Sequence, residues 1–227
     1  MSKEQYEIEI KSLLGDASNA DALREGLRKI DPTSTCLLTY TQLNHYFEGG
    51  DPGVLAEKMS PLVMPDEAEQ LQRIATEGKK ISVRTREMNG DARIVMKASI
   101  GDDSSSNGVM RMEIEASVPG HTLEQLDAEV LAAGYSYQAK WSRTREEYKV
   151  NDVAVCLDKN AGYGYLAEFE KVITDSTKAE EAKQELVSLM GALGVKELPQ
   201  DRLERMFTHY NEHWPEYYGT ENIFVIQ

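Results

Sequence analysis

Cysteine, large aromatic carbocycles and positive charge are all scarce in this chain. Only two cysteines, Cys36 and Cys156, occur among 227 residues, too few for the disulfide framework of a small secreted domain. Each sits in an apolar, β-like run, Cys36-Leu37-Leu38-Thr39-Tyr40 and Val153-Ala154-Val155-Cys156-Leu157, so both are expected as reduced, buried thiols. Neither has a neighbouring base that would mark a nucleophile. No stretch approaches the ~18 consecutive apolar residues of a membrane span, and no membrane partner is expected. The opening Met1-Ser2-Lys3-Glu4-Gln5-Tyr6-Glu7 lacks the apolar core of a secretion signal, so a cytoplasmic location is expected. Four Phe and two Trp leave Tyr and Met to carry more of a core that the 41% apolar fraction can still supply. Lys and Arg are outnumbered 25 to 39 by Asp and Glu, a net charge of −14. That balance excludes general nucleic-acid binding by phosphate neutralisation. An anionic ligand would need a basic pocket set inside an acidic shell.

What is present is a chain of strands punctuated by short helices. Residues 4–12 alternate with period two and read as a strand. Asn19 to Ile30 reads as a helix capped by Asn19 or Asp21 and stopped by Asp31-Pro32. Cys36 to Glu48 is β-rich, and two short helical pieces follow the turn cluster at 49–53. Lys80–Met88 and Ala92–Ile100 form a hairpin through Asn89-Gly90, the preferred pair for a tight primed turn. A polar loop at 101–108 leads to a strand over Val109–Val118. Thr122 caps a helix through Ala133, with Thr122-Leu123-Glu124-Gln125 as its capping box. Further strands are expected over Gly134–Val150, Asp152–Leu157 and Tyr165–Ile173. From Thr177 the chain is helical and ends in an aromatic tail, Trp214 to Tyr218, expected to pack on the strands.

The strands alternate in an unusual way. Glu7, Glu9 and Lys11 share one face of the first strand. Arg84 and Arg86 recur at period two in the hairpin, and Lys97 follows in its second arm. Arg111, Glu113 and Glu115 share a face, and Glu168 and Glu170 flank Phe169. A solvated face would mix Thr, Ser and Gln; here carboxylates and cations fill the polar face of nearly every strand. Two architectures satisfy this: an open antiparallel sheet with helices on one side, or a closed barrel with charges inside. Composition alone favours the open sheet, because interior charges are costly unless paired or ion-bound.

Glu7-Ile8-Glu9-Ile10-Lys11 resembles the Glu-x-Glu-x-Lys signature of the CYTH family, the triphosphate tunnel metalloenzymes. The order of the remaining segments strengthens the resemblance. Gln42 to Phe47 looks like the family's second strand, Arg84-Thr85-Arg86 its Arg-x-Arg strand, and Lys97 its next basic position. Arg111-Met112-Glu113-Ile114-Glu115 is similar to its central acidic strand. Arg143-Thr144-Arg145 matches its late basic strand, although Lys is more usual first. Asp158 and Glu168-Phe169-Glu170 close the pattern.

The resemblance covers residues 3 to about 175. It implies an α+β fold: an eight-stranded antiparallel β-barrel, a tunnel with charged interior and helices packed outside, over residues 1–175. The helices of 176–227 pack on the same domain. It also implies a Mg²⁺ or Mn²⁺ ion held by Glu7, Glu9 and Glu170, with Asp158 and Glu168 close by. Lys11, Arg84, Arg86, Lys97, Arg143 and Arg145 would cradle a triphosphate, with Lys11, Glu7 and Glu9 essential for turnover. Glu113 and Glu115 would support the cations or orient water. Residues 52–77 and 101–108 would be decoration. Three functions follow: a hydrolase of inorganic triphosphate, thiamine triphosphate or a nucleoside triphosphate; a class IV adenylate cyclase; or a non-catalytic polyphosphate-binding module. The partner expected is the small-molecule substrate, with the chain a monomer or homodimer. His209 and His213 are expected as a surface pair at a helix end, Gly162-Tyr163-Gly164 as a turn, and Glu180-Glu181 as part of a solvated helix face.

Overall fold

The structure, a computed structural model, describes residues 6–100 and 110–226, without the side chains of Tyr6, Glu7, Ser99, Ile100, Met110, Arg111 and Ser176. The expected loop 101–108 and the first residues of the first strand lie outside the described residues. Eight strands are present: β1 (Tyr6–Gly15), β2 (Leu38–Gly49), β3 (Lys79–Met88), β4 (Asp91–Ile100), β5 (Met110–Ser117), β6 (Tyr135–Val150), β7 (Val153–Asn160) and β8 (Gly164–Ile173). The helices are α1 (Ala17–Ile30), α2 (Pro52–Met59), α3 (Pro65–Glu77), α4 (Leu123–Ala132), α5 (Ala179–Ala192) and α6 (Gln200–Tyr217). The strands form one antiparallel sheet in the order β1-β8-β7-β6-β2-β3-β4-β5. This is the α+β class expected and is consistent with the tunnel fold; the ladders end at β1 and β5 among the described residues.

Local chemistry sets the element ends. Asn89 and Gly90 both take positive φ, 54° and 83°, which two-residue hairpin turns of the primed type require. Thr122 and Gln125 close the capping box in both directions, at 3.3 and 2.9 Å. The cap of α1 differs from expectation: the side chain of Asp16 accepts from the Asn19 amide at 3.0 Å. Asn19 instead donates its side chain to the Leu14 carbonyl, and the helix starts two residues earlier than the expected Asn19.

The chain divides into two compact units, one of residues 42–141 and one of residues 1–41 with 142–227. In the first, α2, α3 and α4 cover an apolar sheet face built from Phe47, Val83, Ile94, Met96 and Ile114. Asp127 of α4 is buried on this face and gathers three partners: His45 at 2.7 Å, Thr85 at 2.5 Å and Tyr137 at 2.6 Å. In the second, α1 and α5 cover Ile10, Val155, Leu157 and Phe169. Helix α6 buries Met206 and Tyr210.

Three details depart from the sequence reading. Cys36 is exposed, because β2 begins only at Leu38 and leaves Cys36 in irregular chain; Cys156 is half-buried and free. Pro215 lies inside α6, so His209 and His213 stack within the helix at 4.4 Å between ring centroids rather than at its end. The strand expected over Gly134–Val150 is not regular throughout. Tyr137 stacks on Phe47 at 5.0 Å while Trp141 meets Tyr46 at 6.4 Å. Neighbours 46 and 47 face opposite sides of a strand, so β6 slips its alternation between Tyr137 and Trp141, as a bulge does. Beyond it, Arg143 to Val150 pair with β7 in unbroken register.

Candidate functional site

Each unit carries one charged sheet face, opposite its apolar face. In the unit of 42–141, strand register places Arg84 across from Tyr46 and Val95, Arg86 across from Asn44 and Arg93, and Lys97 across from Glu113. The cations and carboxylates interlock. Lys97 lies 2.6 Å from Glu113, and Arg84 lies 3.4 Å from the same carboxylate. Arg86 reaches Glu115 at 2.5 Å and Asn44 at 2.8 Å. Burial pulls the Glu113 carboxyl upward, but Lys97, Arg84 and Arg86 more than offset this and hold it below the usual Glu range. Arg84 also donates to the Tyr46 hydroxyl at 2.8 Å and lies over its ring at 5.5 Å. Its Nε is buried and has no hydrogen-bond partner among the described residues. A buried donor without a partner costs free energy of about 1–3 kcal/mol. Arg93 joins the face through Glu115, 3.3 Å away, and Asp91, 2.8 Å away. It went unselected at the sequence level, although it keeps parity with Lys97.

In the unit of 1–41 and 142–227, β1 and β8 put Glu9 opposite Glu170 and Lys11 opposite Glu168. Lys11 pairs with Glu9 and lies 3.3 Å from Glu168. Glu7 sits opposite Val172 in the same ladder; its side chain lies outside the described residues. Arg145 bridges Glu168 and Asp158, meeting the latter at 2.7 and 2.6 Å, and Arg143 adds a third contact to Asp158 at 3.0 Å. Burial disfavours the Arg145 charge, but Asp158 and Glu168 together raise its pKa above the usual value. For Glu168, burial pulls the carboxyl upward, and Lys11, Arg145 and Arg143 outweigh it, leaving it below the ordinary range. Cys156 faces the same side, opposite Glu168 and Glu147 in the ladders, and burial pushes its thiol up to about 11. Tyr40 closes this face by donating to Glu147 at 2.5 Å; its phenol is raised to about 12 by burial and then by that carboxylate.

The carboxylates divide into two kinds. Asp158, expected beside a metal, has a side chain only 1% exposed, and two arginines occupy its oxygens. Its place in the cluster is to aim Arg143 and Arg145. Glu9 and Glu170 are different: they stand directly opposite in the β1–β8 ladder, like charges that a neighbouring cation stabilises, and Lys11 already pairs with Glu9. Hard carboxylate oxygens in that arrangement suit Mg²⁺ or Mn²⁺, which often take one or two protein carboxylates plus phosphate and water. Among the described residues no group of three or more His, Cys, Asp or Glu is placed to hold a metal ion by itself.

Comparison with solved structures supports the fold. The PH1819 protein from Pyrococcus horikoshii OT3 is similar at 18% identity and a TM-score of 0.57, over 90% of this chain and 99% of that one. A proposed adenylate cyclase from Vibrio parahaemolyticus is similar at 14% identity and a TM-score of 0.55, over 90% and 98% of the two chains. No curated protein matches the sequence. The CYTH domain model matches residues 70–202, starting after the Glu7–Lys11 strand and covering more than half of the 227 residues. By that match, over an eight-stranded antiparallel sheet with charge alternating along its strands, the chain belongs to the CYTH family.

Proposed function

We propose that this protein is a divalent-metal-dependent hydrolase of a tripolyphosphate-bearing substrate: inorganic triphosphate, thiamine triphosphate or a nucleoside triphosphate. The observation that carries the reading is the opposed Glu9–Glu170 pair, flanked by Lys11, Glu168 and Arg145. Binding of an anion alone would gain nothing from two facing carboxylates, whereas a metal–polyphosphate complex needs both signs of charge. Glu9 and Glu170, with Glu7 from the same strand, would hold Mg²⁺ or Mn²⁺. When bound, that ion neutralises phosphate charge and lowers the pKa of a bound water.

The chain's own residues do the rest. Lys11, Arg143 and Arg145 would neutralise phosphate oxygens on the charged face of their own unit; Arg84, Arg86 and Lys97 form a second cationic face of the same chemistry within residues 42–141. The guanidinium fork suits paired phosphate oxygens. Glu113, Glu115 and Asp158 hold these cations in place before substrate arrives. Phosphoryl transfer asks little covalent chemistry of a protein, so such pre-positioning is the main catalytic contribution.

The test is phosphate release with Mg²⁺ or Mn²⁺ from inorganic triphosphate, thiamine triphosphate and ATP, with cyclic AMP followed in the ATP reaction. Free phosphate without cyclic AMP is expected. Glu9→Gln and Glu170→Gln should each lower turnover by about 10²–10³-fold, the scale on which a pre-placed electrostatic group acts, with the fold intact by circular dichroism. Pyrophosphate with cyclic AMP would make the protein a cyclase, and no product from any substrate would leave only a binding module.

A further inference from the structure

Beyond α6 the chain does not wander off. Residues 218–226 return along the turn between β7 and β8 as a strap. The Phe224 amide donates to the Gly162 carbonyl at 2.7 Å, and Gly162 bridges Ile223 in parallel. Lys159 of β7 pairs with Glu221 at 2.6 Å, and Arg202 donates to the Ile226 carbonyl at 2.9 Å. The Phe224 ring packs against His209, Tyr217 and Tyr163, at 4.5, 5.1 and 6.4 Å between centroids. Gly162 has φ +84°, and a Cβ there would meet Tyr210 at 2.7 Å, so the turn is shaped to receive this packing. The whole strap lies past residue 202, where the family match ends.

Between the strap and the strand ends is a half-open cavity of about 170 Å³. Thr41, Ser142, Thr144, Asn160, Thr220 and Asn222 line it, four hydroxyls and two amides. Its charged rim, Lys159 and Glu221, is already neutralised by mutual pairing. Arg143 also lines it, with its guanidinium 3.0 Å from Asp158 in the phosphate-binding cluster. The volume is below the ~300–1,000 Å³ of a site enclosing a whole drug-sized ligand, so it suits one group of a larger molecule.

We infer that the strap builds a specificity subsite for a neutral, hydroxyl-bearing group attached to the phosphate chain, as the ribose of a nucleoside triphosphate is. This rests on the phosphate-binding role proposed for Arg143 and its neighbours. Thr220 already donates to the Tyr217 carbonyl, Asn222 to that of Glu216 and Asn160 to that of Asp158, so these three offer acceptor oxygens, while Thr41, Ser142 and Thr144 offer hydroxyls of either sense. A sugar hydroxyl can both donate and accept there, whereas the thiazolium ring of thiamine triphosphate carries no N–H or O–H to donate. The substrate class selected is the nucleoside triphosphate.

The experiment titrates the Ca²⁺ complexes of inorganic tripolyphosphate, ATP and thiamine triphosphate by calorimetry, with wild type, Thr220→Ala and Asn222→Ala. Both residues are exposed on the strap, and thermal melts check that each variant is folded. ATP affinity should fall about tenfold in each variant, the loss of one or two hydrogen bonds, while tripolyphosphate and thiamine triphosphate change by less than about twofold. Equal losses for all three ligands, or no loss for ATP, would overturn the subsite and leave the phosphate site standing. Failure of the wild type to bind tripolyphosphate at all would instead remove the phosphate-binding reading, and the subsite with it.

Discussion

Glu168 concentrates the electrostatics of its face in one side chain. Three cations lower its pKa against the pull of burial, so the folded state binds its proton less readily than the unfolded chain does. Its contribution to stability is therefore complete above the unfolded pKa and is lost as pH falls through the lower, folded one. Compared with Glu168→Gln, the wild type should keep its advantage in urea midpoint from about pH 7 to about pH 5 and lose it progressively as pH falls below the ~4.3 of an unperturbed Glu. A gap that stays constant as pH falls through that value would mean the cations do not act on this carboxylate. The sequence showed which residues share a face here, because period-two alternation is local. It did not show that Asp158 is filled by arginines or that Lys11 meets Glu168. Those partners are set by ladders between strands far apart in the chain, and no local pattern encodes such a register.

At the scale of elements, α4 is pinned rather than merely packed. Asp127 gathers His45 of β2, Thr85 of β3 and Tyr137 of β6 on a side chain 3% exposed. Asp127→Ala would take from buried His45 and Thr85 and half-buried Tyr137 their shared charged acceptor, and should cost about 3 kcal/mol in chemical denaturation. A loss under ~1 kcal/mol would mean water replaces the carboxylate. The turns, caps and helices near this network were readable in advance: Asn89-Gly90 and the Thr122 box depend on neighbours in sequence. The Asp127 network was not, since its members are single polar residues scattered over four elements. Nor was the slip in β6 between Tyr137 and Trp141, which leaves no Gly or Pro to announce it. The exposed Cys36 was misread because an apolar run was taken for a strand that starts two residues later.

Across the whole molecule, a net charge of −14 accompanies the clusters proposed to hold a polyanion. Long-range repulsion therefore opposes encounter, while short-range cations secure the bound state. Salt screens the first beyond a Debye length of about 8–10 Å and affects buried contacts much less. The association rate of tripolyphosphate, followed by stopped flow, should rise as monovalent salt is raised from about 0.01 to 0.15 M. A falling rate would indicate that a local basic field already dominates at distance.

The division of the chain also sets an order of manufacture. Residues 42–141 form their unit from one continuous stretch, whereas the other unit needs residues 1–41 to wait for residues 142–227. Its ladder joins Tyr6 to Ile173. On a ribosome adding about 5–20 residues per second, the continuous unit can complete its core while β1 still lacks its neighbour. For many seconds of every synthesis, the segment bearing Glu9 and Lys11 therefore waits without β8, and charged side chains of that kind disfavour pairing of an open edge with a wrong chain.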